Sequence, residues 1–191
     1  MKKCLPLILI ALLMASPAFA DTAPSADDHR AEERQSVQVL LANHHELPER
    51  SLLDEAADDA RQIVTDIATD EEVFRLYRQR ALMALGYWAD EESYQIILEH
   101  LEDDQTPNST RHLLMPVLGE HFAHGEFEER TVDTLESYLF EADDPHLRIS
   151  AAKALNHIDS DTSVQLLRRA LEVEEVDFVR ERIAGYARTL R

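Results

Sequence analysis

The chain predicts a nearly all-helical protein, and three observations predict it. Glycine occurs four times in 191 residues, at Gly86, Gly119, Gly125 and Gly185, which leaves no glycine-rich phosphate loop, no dinucleotide fingerprint and few hairpin turns. From Val37 onward, apolar residues recur at helical spacing. An arginine followed by an apolar stripe returns four times at near-constant intervals, so the helices come as copies of one unit.

The first twenty residues, "MKKCLPLILIALLMASPAFA", read as an export signal. Two lysines precede an apolar run from Leu5 to Met14, and Ala18-Phe19-Ala20 is the small-x-small pattern cut by a signal peptidase. The run is too short to span a bilayer comfortably. Cleavage after Ala20 removes Cys4, the only cysteine, so no disulfide is expected in the mature chain and its stability must come from an apolar core. About 171 residues suffice for one such core, and the apolar fraction of 45% is ordinary. The chain has 19 basic and 38 acidic residues; losing the signal's two lysines leaves 17 against 38, a formal charge of −21. Such a field repels nucleic acid and anionic lipid and favours a basic partner or cations.

Residues 21–36 are expected as a disordered lead-in, because "DTAPSADDHRAEE" is small, polar and charged without apolar period. Val37, Leu40 and Leu41 then fit a short helix that "HHELPER" breaks at Pro48. Ser51 can cap a longer helix carrying Leu52, Leu53, Ala56, Ala60, Ile63 and Ile67. Together these form a degenerate opening unit over 37–68.

The later units align clearly. In "YRQRALMALG", "TRHLLMPVLG", "LRISAAKALN" and "VRERIAGYAR", Arg78, Arg111, Arg148 and Arg180 fall in one column with spacings of 33, 37 and 32. Three residues later stand Ala81, Leu114, Ala151 and Ile183; seven later stand Leu85, Leu118, Leu155 and Ala187. Those offsets trace one helix stripe and predict a buried face. A second helix follows in each of three units, with Tyr94, Ile97 and Leu101, then Val132, Leu135 and Leu139, then Val164, Leu167 and Leu171 at i, i+3, i+7. The column arginine precedes these triplets by 16, 21 and 16 residues, so the middle unit carries five extra residues around "HFAHGEFEER". Pro116 lies inside that unit's first helix, where a kink is expected. The units run 72–104, 108–142 and 145–174, with a C-terminal capping helix over 176–190.

This unit resembles the HEAT or HEAT-like repeat, the bilin-lyase type included, in an exported bacterial member. The resemblance implies a right-handed α-solenoid of antiparallel helix pairs, whose neighbours bury one another's apolar stripes. It also implies that Asp90 and Asp159, in the turns of the first and third units, cap the second helix and pair with a neighbouring arginine. Arg78, Arg111, Arg148 and Arg180 would then form a structural arginine–aspartate ladder.

Candidate chemistry is sparse. His121 and His124 stand three apart with Glu120 and Glu126 nearby, a ligand set that Zn²⁺ accepts. The alternative makes them polar residues at a helix end terminated by Gly125. His44 and His45 are adjacent and point apart, as solvated turn residues. Asp159 and Asp161 begin like a calcium loop but lack the glycine at its sixth position, so Asp161 reads as part of an N-cap region. Asn108-Ser109-Thr110 fits a glycosylation sequon and, better, a helix N-cap. No strand-turn-helix elbow is present to hold a nucleophile.

Surface remains. In the HEAT family the second helices line the concave face that commonly grips a partner; their outward positions here include Glu99 and Glu102, Asp133, Glu136 and Phe140, then Arg168 and Arg169. Phe140 is either an exposed anchor or buried against the next unit. The expected function is a non-catalytic protein-binding scaffold or adaptor, periplasmic or secreted, monomeric, without a cofactor and with a partner of basic surface. A metal-binding module built on His121 and His124, or a lyase-like enzyme accessory, is the alternative.

Overall fold

The computed structural model describes residues 25–42 and 46–188. The export signal, residues 21–24 of the lead-in, and His44 and His45 lie outside the described residues. Ten α-helices follow one another: α1 (Ala26–Leu41), α2 (Arg50–Ala56), α3 (Ala60–Thr69), α4 (Arg75–Ala84), α5 (Glu91–Glu102), α6 (Asn108–His121), α7 (Glu128–Glu141), α8 (Pro145–Ile158), α9 (Asp161–Val173) and α10 (Asp177–Ala187). Single 3₁₀ turns at Leu85–Tyr87 and Gly125–Phe127 extend α4 and introduce α7. Among the described residues there is no strand, and no helix is long and apolar enough to cross a membrane.

The arginine columns become α4, α6, α8 and α10, with each arginine the fourth residue of its helix. Their apolar stripes are buried: Ala81, Leu114, Ala151 and Ile183 are fully enclosed, as are Leu85, Leu118 and Leu155. These helices pack in chain order, α4 on α6, α6 on α8 and α8 on α10. Between them α5, α7 and α9 supply the second stripe, in which Tyr94, Ile97, Leu101, Val132, Leu135, Leu139 and Leu167 are buried. The largest interface, α6 on α8, depends on a glycine. A Cβ added at Gly119 would lie 2.5 Å from the carbonyl oxygen of Ala154, so only hydrogen fits there.

Local signals set the boundaries. Asp90 starts α5 by accepting the Ser93 N–H at 2.8 Å, Asp144 starts α8 by accepting the His146 N–H at 2.9 Å with Pro145 in the first turn, and Ser160 with Ser163 forms a capping box for α9.

Several expectations change. Residues 26–36 are the first part of α1 and not a disordered lead-in. Ser25 and Asp28 cap that helix reciprocally, and Arg30 and Arg34 hold it to Asp66 at 3.0 Å and Asp70 at 2.7 Å. The single helix expected after Ser51 is two, because Asp59 caps α3 through the Gln62 N–H while the Asp58 N–H donates to Glu33 of α1. Ser51 lies inside α2, whose N-cap is Glu49. Asn108 is the first helical residue of α6 and caps nothing; its amide donates to Asp144 at 2.8 Å, tying the starts of α6 and α8 together. Helix α6, with Pro116 inside it, ends at His121, four residues before Gly125, so Gly125 does not terminate it. Gly125 opens the 3₁₀ turn in the left-handed region, at φ 67°.

Candidate interaction surface

The arginine column meets backbone. Arg111 donates to the carbonyl of Asp103 at 2.7 Å, Arg148 to that of Ala142 at 2.8 Å and Arg180 to that of Glu174 at 2.8 Å. Each acceptor is the C-cap residue of the preceding second helix, whose last carbonyls have no partner inside the helix. Arg148 also grips Glu174 with two bonds, at 2.8 and 3.0 Å, and this holds the Glu174 carboxyl below its usual range. The expected pairing of the column with turn aspartates is therefore replaced by pairing with helix ends. Asp90 does pair across units, but with Arg61 of α3, at 2.5 and 3.1 Å. The Arg61 guanidinium pulls the Asp90 carboxyl down to about 2. Asp159 does not cap α9; it closes α8 in the left-handed region, at φ 50°, a conformation aspartate tolerates. Arg78 joins none of these bonds.

The predicted surface residues divide into two groups. Glu99, Glu102, Asp133 and Arg168 are exposed and make no side-chain hydrogen bond or ion pair among the described residues. Glu136, Phe140 and Arg169 come together instead. Arg169 of α9 donates to Glu136 of α7 at 2.6 Å while its guanidinium carbon stands 4.0 Å from the Phe140 ring centre. Phe140 is thus half-buried beneath a cation, between the two open alternatives.

The middle unit's insertion has a packing role. Phe122 and Phe127 fold onto Tyr94 of the preceding unit, with ring centres 5.1 to 5.4 Å apart, and Arg130 stacks over the same tyrosine at 4.4 Å. Arg130 also clasps Glu91 at 2.9 Å. The histidines do not converge. His121 packs edge-on against Tyr87, where burial lowers its pKa; His124 is exposed, and Glu120 faces His157 at 3.7 Å. Among the described residues, the one group of three or more His, Cys, Asp or Glu with ligand atoms within 4.8 Å of one another is His29, Glu33 and Asp58.

Sequence reasoning missed the cross-unit pairs Arg61 with Asp90 and Glu92, and Arg130 with Glu91. A charged residue on one helix face offers no sign of which unit supplies its partner. The aromatic pair in the insertion was the signal for the packing role, since a purely solvated loop would not need two phenylalanines.

Residues 110–187, from the first turn of α6 to the end of α10, match the family model described as HEAT repeats. No curated protein matches the chain. The matched segment supports a HEAT-like repeat protein. Such repeats commonly mediate protein–protein interaction and are typically non-enzymatic.

Proposed function

We propose that the chain is an exported, envelope-located adaptor that holds another protein against the outer face of α5, α7 and α9, without a catalytic site. The helix pairs continue as a right-handed α-solenoid in this reading, the mature protein is a monomer, and the partner presents a basic surface. One observation carries it: Glu99, Glu102 and Asp133 stand exposed on that face without side-chain partners among the described residues, beside the Arg169–Glu136–Phe140 stack. Three free carboxylates next to a half-buried aromatic fit the usual division of an interface, in which charges steer and an aromatic anchors. The lyase-type alternative ranks second, because the expected loss of Cys4 with the signal removes the only thiol.

The test is capture from an envelope extract on the immobilised chain lacking residues 1–20, with washes at low and high salt. The expected result is one protein retained by the wild type, weakened by salt and lost when Glu99, Glu102 and Asp133 are all changed to Lys. Retention unchanged by the triple reversal would end the acidic-face reading.

A further inference from the structure

Arg78 breaks the pattern of the other column arginines. The turn before it copies the turn before Arg111. Asp70 Oδ1 accepts the Glu72 N–H at 3.0 Å and its carbonyl accepts the Val73 N–H at 3.1 Å; Asp103 Oδ1 accepts the Gln105 N–H at 3.0 Å and its carbonyl the Thr106 N–H at 2.8 Å. Both arginines bury an unpartnered Nε. The terminal nitrogens of Arg111, however, donate to Asn108 Oδ1 and the Asp103 carbonyl, whereas the guanidinium of Arg78 makes no hydrogen bond or ion pair among the described residues. With an equivalent carbonyl in an equivalent turn, Arg78 is the one rung that does not close.

Arg78 instead lines a cavity of about 360 Å³ between α3, α4, α5 and α6, together with Arg75, Gln79, His100, Thr106 and Thr110. That volume lies at the lower end of small-ligand pockets. Arg75, one turn before Arg78, also has no carboxylate partner among the described residues, in a chain with twice as many acidic as basic residues. Gln79 donates its amide to Thr110 Oγ1 at 2.7 Å, which leaves the threonine hydroxyl hydrogen free to donate onward. Two acids also border the cavity. Asp103 is already engaged with the Gln105 N–H and, at 3.3 Å, the Thr106 hydroxyl, and Glu71 is exposed. The first turn of α6 adds the positive end of a helix dipole.

We infer that this cavity binds a carboxylate. The planar guanidinium of Arg78 takes the two oxygens side by side, Arg75 adds the second positive charge and the Thr110 hydroxyl donates to one oxygen. This site is separate from the outer face proposed above and does not depend on it. The carboxylate belongs either to a free small acid or to an acidic side chain of a peptide, and two probes separate these sources.

Isotope-labelled chain lacking residues 1–20 is titrated with succinate and, separately, with N-acetyl-aspartate N-methylamide, reading the Arg78 Nε–H signal and the amides of Gln79 and Thr106 by NMR. Saturable shifts with a Kd below about 1 mM are expected for at least one probe, weakened at least tenfold in Arg78→Gln. Binding of succinate alone assigns a free acid, and binding of the aspartate derivative alone assigns a peptide side chain; binding of both confirms the shared chemistry. Without ligand, Arg78→Gln should melt with the wild type while Arg111→Gln melts lower. The inference is overturned by no saturable shift with either probe, by binding unchanged in Arg78→Gln, by an equal response to sodium chloride at matched ionic strength, or by Arg78→Gln melting as low as Arg111→Gln.

Discussion

The two ends of this molecule share one apolar core but differ in how far water reaches the arginine clasps that link their helices. From α6 to α10, arginines close the helix ends and the strongest clasp is shielded: Arg148 and Glu174 are only 14% and 7% exposed in their shared bond. From α1 to α5, ion pairs in contact with water also link the helices. Arg30–Asp66, Arg34–Asp70 and Arg61–Asp90 have partners between 26% and 55% exposed. Exposed pairs contribute little each and weaken with salt, whereas apolar burial does not. The clasps of the N-terminal end should therefore lose more of their contribution at high salt than the Arg148–Glu174 clasp does. The family match falls on the C-terminal end, residues 110–187.

The largest effect that could break this comparison is in the core of α8. Leu155→Ala should cost roughly 2–5 kcal/mol, because Leu155 is fully buried and α6, α7, α9 and α10 all surround its helix. Val39→Ala on α1, where the side chain is 65% exposed, should stay within about 0.5 kcal/mol. Equal losses in urea unfolding would mean that Leu155 is not enclosed or that Val39 is covered. Next is Arg148→Gln, which removes the two bonds to Glu174 and the bond to Ala142 while leaving a mostly buried carboxylate; about 3 kcal/mol is expected. Arg34→Gln, the corresponding loss at the other end, should cost no more than about 1 kcal/mol.

Glycines give a second contrast, within the C-terminal end itself. Gly119→Ala forces a methyl against the Ala154 backbone and should cost about 1–3 kcal/mol. Gly185→Ala in α10 meets nothing within 4 Å and should add about 0.4–1 kcal/mol by restricting the unfolded chain. A loss at Gly185 would show that α10 is covered on the side that the fold leaves open.

Much of the helix order was legible because burial leaves a periodic mark: the residues three and seven after each column arginine had to be apolar, and nearly all are enclosed. The break at Ala57 to Asp59 was hidden, since apolar spacing runs across it and the cause is tertiary, the Asp58 N–H reaching Glu33 of α1. Helix α1 was misread because its first half is polar on every side and is ordered by Arg30 and Arg34 reaching residues 36 positions later. The Ser25–Asp28 capping box was its one local sign. The arginine column was legible as a column but not in its partners, because a backbone carbonyl has no signature in sequence. For the same reason the departure of Arg78 from the ladder could be found only in three dimensions.

The smallest effect is also the most direct comparison of the two ends, since each has a carboxyl depressed by an arginine. Asp90 sits at about 2 through Arg61, and Glu174 lies below its usual range through Arg148. Both are acids whose folded pKa is lowered, so their contribution is complete above the unfolded values near 4 and disappears as pH falls through the folded ones. For Asp90 that window runs from about 4 down to about 2. At 38% exposure its share should remain below about 1 kcal/mol. Raising salt from about 0.1 to about 1 M shortens the screening length from about 10 to about 3 Å. The Asp90 carboxyl should then move back toward the ordinary range while Glu174, 7% exposed, hardly moves. Carbon-13 NMR of the side-chain carboxyls, titrated at both salts, reads the two groups in one sample. Equal salt shifts at both sites would show that water reaches the two arginine clasps alike, and the two ends would then not differ in their ionic links.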